Sequence, residues 1–107
     1  MPDLPPAIAA YFAAPTDADS ATLGQIFTPD AHVHDENHAY DGIDAIRPWR
    51  IETQAKAPLT ARPVDITTDQ AATLVRVEVS GAFPNSPVLL DHRFALAGGR
   101  IASLDIR

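Results

Sequence analysis

At 107 residues, with a formal charge of −6 and 46% apolar residues, the chain has the composition of one globular domain, 1–107, and not of a disordered segment. The lack of cysteine excludes disulfides and thiolate-bound metals, and no basic cluster offers a surface for nucleic acid or an anionic membrane. No apolar run approaches the roughly 20 residues of a membrane helix, so a soluble, cytoplasmic protein is expected.

Pro5-Pro6 suits the first turn of a helix, where a missing N–H does no harm, and Leu4, Ile8, Tyr11 and Phe12 follow on one face. Pro15-Thr16-Asp17 ends it. Asp19 or Ser20 caps a second helix with Leu23, Ile26 and Phe27 inward. Thr28-Pro29-Asp30 reads as a turn into a strand at 31–35, where Val33 and Asp35 alternate as on one face. Gly42 opens a third helix carrying Ile43, Ile46, Trp49 and Arg50. Pro48 within it predicts a kink or restart near Arg47, because an interior proline costs on the order of 3 kcal/mol.

From Thr60 the period changes to two. Val64 and Ile66 alternate in one strand. Val75, Val77, Val79 and Phe83 share a face of the next. Val88, Leu90, His92, Phe94 and Leu96 share a face of the third, and Ile101, Leu104 and Ile106 belong to the fourth. Asp69-Gln70, Pro84-Asn85-Ser86-Pro87 and Gly98-Gly99 stand where antiparallel turns belong. Helices followed by a meander of strands is an α+β pattern.

Five segments in this order carry a resemblance: Tyr11-Phe12-Ala13-Ala14, Phe27-Thr28-Pro29-Asp30-Ala31, Val33-x-Asp35, Gly42-x-x-Ala45-Ile46-x-x-Trp49 and Gly99-Arg100-Ile101. Together they resemble the SnoaL-like branch of the NTF2-like superfamily, which includes polyketide cyclases and ketosteroid isomerases. The resemblance implies a cone: three N-terminal helices packed on a curved, mainly antiparallel sheet around an apolar pocket, with a homodimer through the sheet. It implies that Asp35 matches the catalytic base, moving a proton between carbons beside a carbonyl, and that Tyr11 matches an oxyanion-hole tyrosine. The second oxyanion donor of the isomerases is an aspartic acid on a late strand. Counting back from Gly99-Arg100-Ile101 lands on Asp91, and counting from Arg93-Phe94 lands on Leu90. The alternation of the strand favours Leu90 inward and Asp91 outward.

Each of these residues also has a plainer reading. A carboxylate in an apolar pocket loses hydration and gains affinity for a proton, yet Asp35 could instead sit at the pocket mouth or be satisfied by the Asn37–Gly42 loop. Tyr11 could steady an enolate oxygen or be core with its hydroxyl paired. His92 could be a buried neutral imidazole or a pocket acid/base. Phe12, Phe27, Val33, Tyr40, Trp49, Leu90 and Phe94 are expected to line the substrate pocket. His32 and His34, with His38 nearby, allow a metal reading, but they face away from Val33 and Asp35, which favours exposed histidines or a dimer contact.

The expected activity is a cofactor-independent isomerisation, cyclisation or elimination on a small apolar carbonyl compound, with Asp35, Tyr11 and His92 as the catalytic set and no metal. The alternative is a non-catalytic ligand-binding or protein-interaction module of the same fold.

Overall fold

The fold follows from three changes of backbone period along the chain, from helix to strand at Phe27, back to helix at Ile43 and to strand again at Leu59. In a computed structural model, residues 4–35, 37–56, 59–68, 72–81 and 83–106 are described. Helix α1 spans Pro6–Ala13 with a proline in its first turn, and α2 spans Ser20–Ile26. The Asp19 side chain accepts the Thr22 amide N–H at 2.8 Å, a cap that holds its carboxyl below the usual range. Helix α3 runs Ile43–Lys56 behind Gly42, whose φ of +81° turns the chain at low cost and whose carbonyl accepts the first helical bonds.

Among the described residues six strands, β1 Phe27–Asp35, β2 His38–Asp41, β3 Leu59–Thr68, β4 Thr73–Gly81, β5 Val88–Ala97 and β6 Arg100–Ile106, form one sheet in the order β2-β1-β6-β5-β4-β3. Among these described strands the β1–β6 pair is parallel and the other pairs are antiparallel. The three helices pack on this sheet, giving the α+β arrangement of the NTF2-like fold. The core lies between the layers, built from Ile8, Leu23, Phe27, Ile46, Val75, Val77, Phe94, Ile101 and Leu104, all essentially without solvent contact. No helix among the described residues is long and apolar enough to cross a membrane.

Five expectations need correction. Phe27 does not continue the second helix; its amide closes α2 on the Leu23 carbonyl and its side chain opens β1 beside Ile101. The Thr28–Asp30 turn is therefore strand, and Pro29 is tolerated because the β1–β6 ladder is irregular between Phe27 and His32. Residues 38–41 are not loop but a short edge strand, turned back on β1 at Asn37, whose φ is +64°. Pro48 does not restart α3; Pro48 and Asp44, the residue whose carbonyl loses its helical partner, are both exposed, so water can take the missing donor's place.

The fifth correction concerns one apolar side chain. Val64 leaves the face assigned to it, because the β3 register shifts at Pro63/Asp65 and leaves it unpaired, whereas Leu96 keeps its face opposite the buried Ile101 but is itself exposed. The Asp69-Gln70 turn lies outside the described residues. At Gly98-Gly99 both glycines have positive φ, as a two-residue hairpin turn requires.

Candidate functional site

Between the helices and the inner face of the sheet lies a cavity of about 300 Å³, at the lower end of the small-molecule pocket range of roughly 300–1,000 Å³. Its walls bring together Tyr11 and Phe12 from α1, Asp35 from the end of β1, Trp49, Arg50, Thr53 and Gln54 from α3, and Val79, Leu90, His92 and Ile106 from the sheet. Asp35 is the one carboxylate among the described lining residues.

The Asp35 carboxylate is positioned from α3. The indole Nε1 of Trp49 donates to its Oδ2 at 3.2 Å, the one hydrogen bond of this side chain among the described residues. Trp49 is itself fixed, buried in the core with Tyr40 tilted against it at 5.7 Å between ring centres. Asp35 thus has one oxygen engaged and lone pairs left over, as a proton acceptor requires.

Tyr11 stands in an aromatic cluster, its ring edge-on to Phe12 at 5.0 Å, to Phe94 at 5.6 Å and to Phe27 at 5.9 Å. Burial pushes its phenol up to about 12; the Arg50 guanidinium, 5.3 Å from the ring centre, pulls the other way, and Asp35 adds to the rise. The phenol is therefore neutral at any physiological pH and able to donate a proton in a hydrogen bond.

His92 is 5% exposed, tilted against Phe12 at 5.8 Å and Phe94 at 6.2 Å. Desolvation lowers its pKa to about 4, against weaker opposite pulls from the Leu90 carbonyl and Asp91. Although that carbonyl is close enough to favour the cation, Nδ1 makes no hydrogen bond of ordinary geometry among the described residues.

The unfolded chain takes up a proton on His92 below 6.5, whereas the folded chain resists doing so until about 4. The unfolded state thus binds more protons in this window, so stability falls as pH drops from 6.5 towards 4, by on the order of 3 kcal/mol from this group. Urea unfolding across that range checks it: His92→Phe should flatten the pH slope, and an unchanged slope would assign the acid sensitivity to other groups.

The remaining expected residues divide. Phe12, Trp49 and Leu90 line the cavity. Phe27, Val33 and Phe94 do not; they are fully buried in the core behind the cavity wall. Tyr40 also stays off the lining and packs on Trp49. Leu90 occupies the position where an acid was the alternative, while Asp91 faces outward and accepts from Arg76 Nε at 3.2 Å.

On the other face of β1, His32 Nδ1 pairs with Asp41 at 2.6 Å and His34 Nδ1 with Asp105 at 3.3 Å. The two imidazoles pair with different acids, and no group of three or more potential metal ligands occurs among the described residues.

Arg50 is the residue to which the sequence reading assigned no role. It follows Ile43 and Ile46 at seven and four residues on the inward stripe of α3. A permanent cation at such a position was the available signal. Its Nη2 donates to the carbonyls of Ala14 at 3.3 Å and Pro15 at 3.2 Å, at the C-terminal end of α1.

Residues 8–104 match the model of the SnoaL-like domain. The chain belongs to the SnoaL-like family. Among solved structures, it is similar to a candidate polyketide cyclase from Sinorhizobium meliloti, with 41% identity over 98% of this chain and 96% of that one and a TM-score of 0.89. A protein of ketosteroid isomerase-like fold from Catenulispora acidiphila, solved with trimethylamine, shares 18% identity over 98% and 86% of the two chains at a TM-score of 0.80. SalBIII, an epoxide hydrolase/cyclase-like enzyme of pyran ring formation in the polyether salinomycin, shares 21% identity over 94% and 85% at a TM-score of 0.73. At these lower identities the likeness is one of fold. No curated protein compared with the chain matches it.

Proposed function

We propose that this SnoaL-like protein is a proton-transfer enzyme acting on a small carbonyl compound without a cofactor. The observation that carries the reading is the Asp35 carboxylate in the cavity wall, aimed by the Trp49 indole and otherwise unengaged among the described side chains. Asp35 takes a proton from the carbon beside the carbonyl, and the negative charge moves to the carbonyl oxygen. Tyr11, a neutral phenol in the same wall, is the donor suited to that oxygen, and the neutral His92 imidazole is a second candidate. Return of the proton to another carbon gives isomerisation. Attack of the enolate on an internal electrophile gives ring closure, and expulsion of a leaving group gives elimination.

The test is hydrogen–deuterium exchange beside the carbonyl in a panel of small activated ketones in deuterium oxide, comparing the native protein with Asp35→Asn. Exchange that depends on Asp35 supports the enzyme. Ligand binding that survives the substitution, with no exchange by either protein, supports instead a binding module that keeps the pocket without the chemistry.

A further inference from the structure

Among the described residues, buried Arg50 Nε has no hydrogen-bond partner and buried His92 Nδ1 has none of ordinary geometry, and both residues line the same cavity. Buried donors and acceptors are satisfied in the great majority of cases, so two such atoms around one cavity mark a place where a ligand's polar atoms belong. His92 is nine-tenths buried and neutral near pH 7, so it offers a dipole. Arg50 offers a permanent charge.

A purely structural account of Arg50 is incomplete. Stitching a backbone carbonyl is a common task of arginines here: Arg47 Nε donates to Ala18 at 3.2 Å and Arg100 Nη1 to Gly24 at 3.0 Å. For Arg50, Nη2 performs it at Ala14 and Pro15, and Nε finds no partner among the described residues. The ion pairs of Arg62 and Arg76 with Glu78 and Asp91 lie on the outer surface, and none found among the described residues includes Arg50 or Asp35. The cavity wall therefore holds a cation and a carboxylate not neutralised by direct contact with each other. Tyr11 stands under the influence of both, drawn in opposite directions.

We propose that the cavity takes a small oxo acid, its carboxylate on the Arg50 side and its carbonyl, with the adjoining C–H, on the Asp35 side. This rests on the assignment of Asp35 as base. Repulsion from Asp35 keeps the ligand's carboxylate away from the reacting end, so the two wall charges set one orientation. The cavity's size favours such a compact molecule, and its apolar walls at Phe12, Leu90 and Ile106 accept the short chain between the two polar ends.

Levulinate and its methyl ester form the probe pair, because they differ in charge and share the ketone. In deuterium oxide Asp35 removes a proton beside the ketone and the enolate takes back a deuteron, so a C–H bond is replaced by C–D with no net redox change. The native protein should exchange levulinate with a kcat/KM about tenfold or more above that of the ester, the difference lying in KM. Arg50→Met should bring the ratio of kcat/KM for levulinate over the ester down to about one, and Arg50→Lys, which keeps the charge, should retain part of the preference. An ester exchanged as well as the acid by the native protein overturns the proposal, as does a preference that survives in folded Arg50→Met protein.

If neither probe is exchanged, the base assignment has failed separately, and NMR titration of the Asp35→Asn protein with both probes decides the ligand class. Selective binding of levulinate that disappears on adding Arg50→Met upholds the oxo acid, and equal binding of the two probes rejects it.

Discussion

Asp35→Asn is expected to slow proton abstraction by about 10²–10⁴-fold, the range by which a positioned general base accelerates a reaction. The substitution is almost isosteric. The amide oxygen of Asn can still accept the Trp49 indole N–H that holds Oδ2 at 3.2 Å, so the side chain keeps its place while losing its capacity to take a proton. Stability in urea should change little, which separates lost chemistry from lost structure. Trp49→Phe makes the converse change, keeping most of the ring and removing the N–H, and should give a smaller loss of rate through a less well fixed carboxylate. Undiminished exchange in folded Asp35→Asn protein would place the base elsewhere.

Phe94→Ala is expected to cost about 3–5 kcal/mol, a large part of the roughly 5–15 kcal/mol that holds a domain folded. Phe94 is fully buried on β5, with its ring against Tyr11 at 5.6 Å, Phe12 at 6.1 Å and His92 at 6.2 Å. Truncation leaves a void behind three cavity-lining side chains, since a packed interior relaxes only in part. Urea unfolding measures the loss. Phe94→Leu should recover much of it, and recovery of exchange activity together with stability would identify Phe94 as a support of the site rather than a contact with the ligand. A Phe94→Ala protein as stable as the native one would mean that the aromatic cluster contributes little.

Much of the architecture was legible because it is encoded in neighbouring residues. The alternation along residues 75–79 and 88–94 placed the inner face of the sheet and turned Leu90 in and Asp91 out, as found. Asp19 as a cap and Gly42 as the opening of α3 are local chemistry, as are the paired positive-φ glycines of the last hairpin. Local pattern failed where the ladder was irregular. The shift beside Val64 and the extension of β1 back to Phe27 depend on how a partner strand aligns, and no period along one strand reports that.

Residues 30–46 show the division within the site. Period two along the strand was enough to separate Val33 and Asp35 from His32 and His34, and so to set the histidine pairs on the outside. What Asp35 meets on the inside was not readable. Its bond to Trp49, the placement of Arg50 over Tyr11 and against the end of α1, and the burial that keeps His92 neutral all arise between elements that touch only when the helices dock on the sheet. Backbone periodicity is a property of adjacent residues, whereas hydrogen bonds, desolvation and charge in a cavity depend on distances across it. The chain's own pattern therefore identifies the wall on which Asp35 stands, and the packing of α1 and α3 against that wall supplies its Trp49 partner and brings the Arg50 charge into the same cavity.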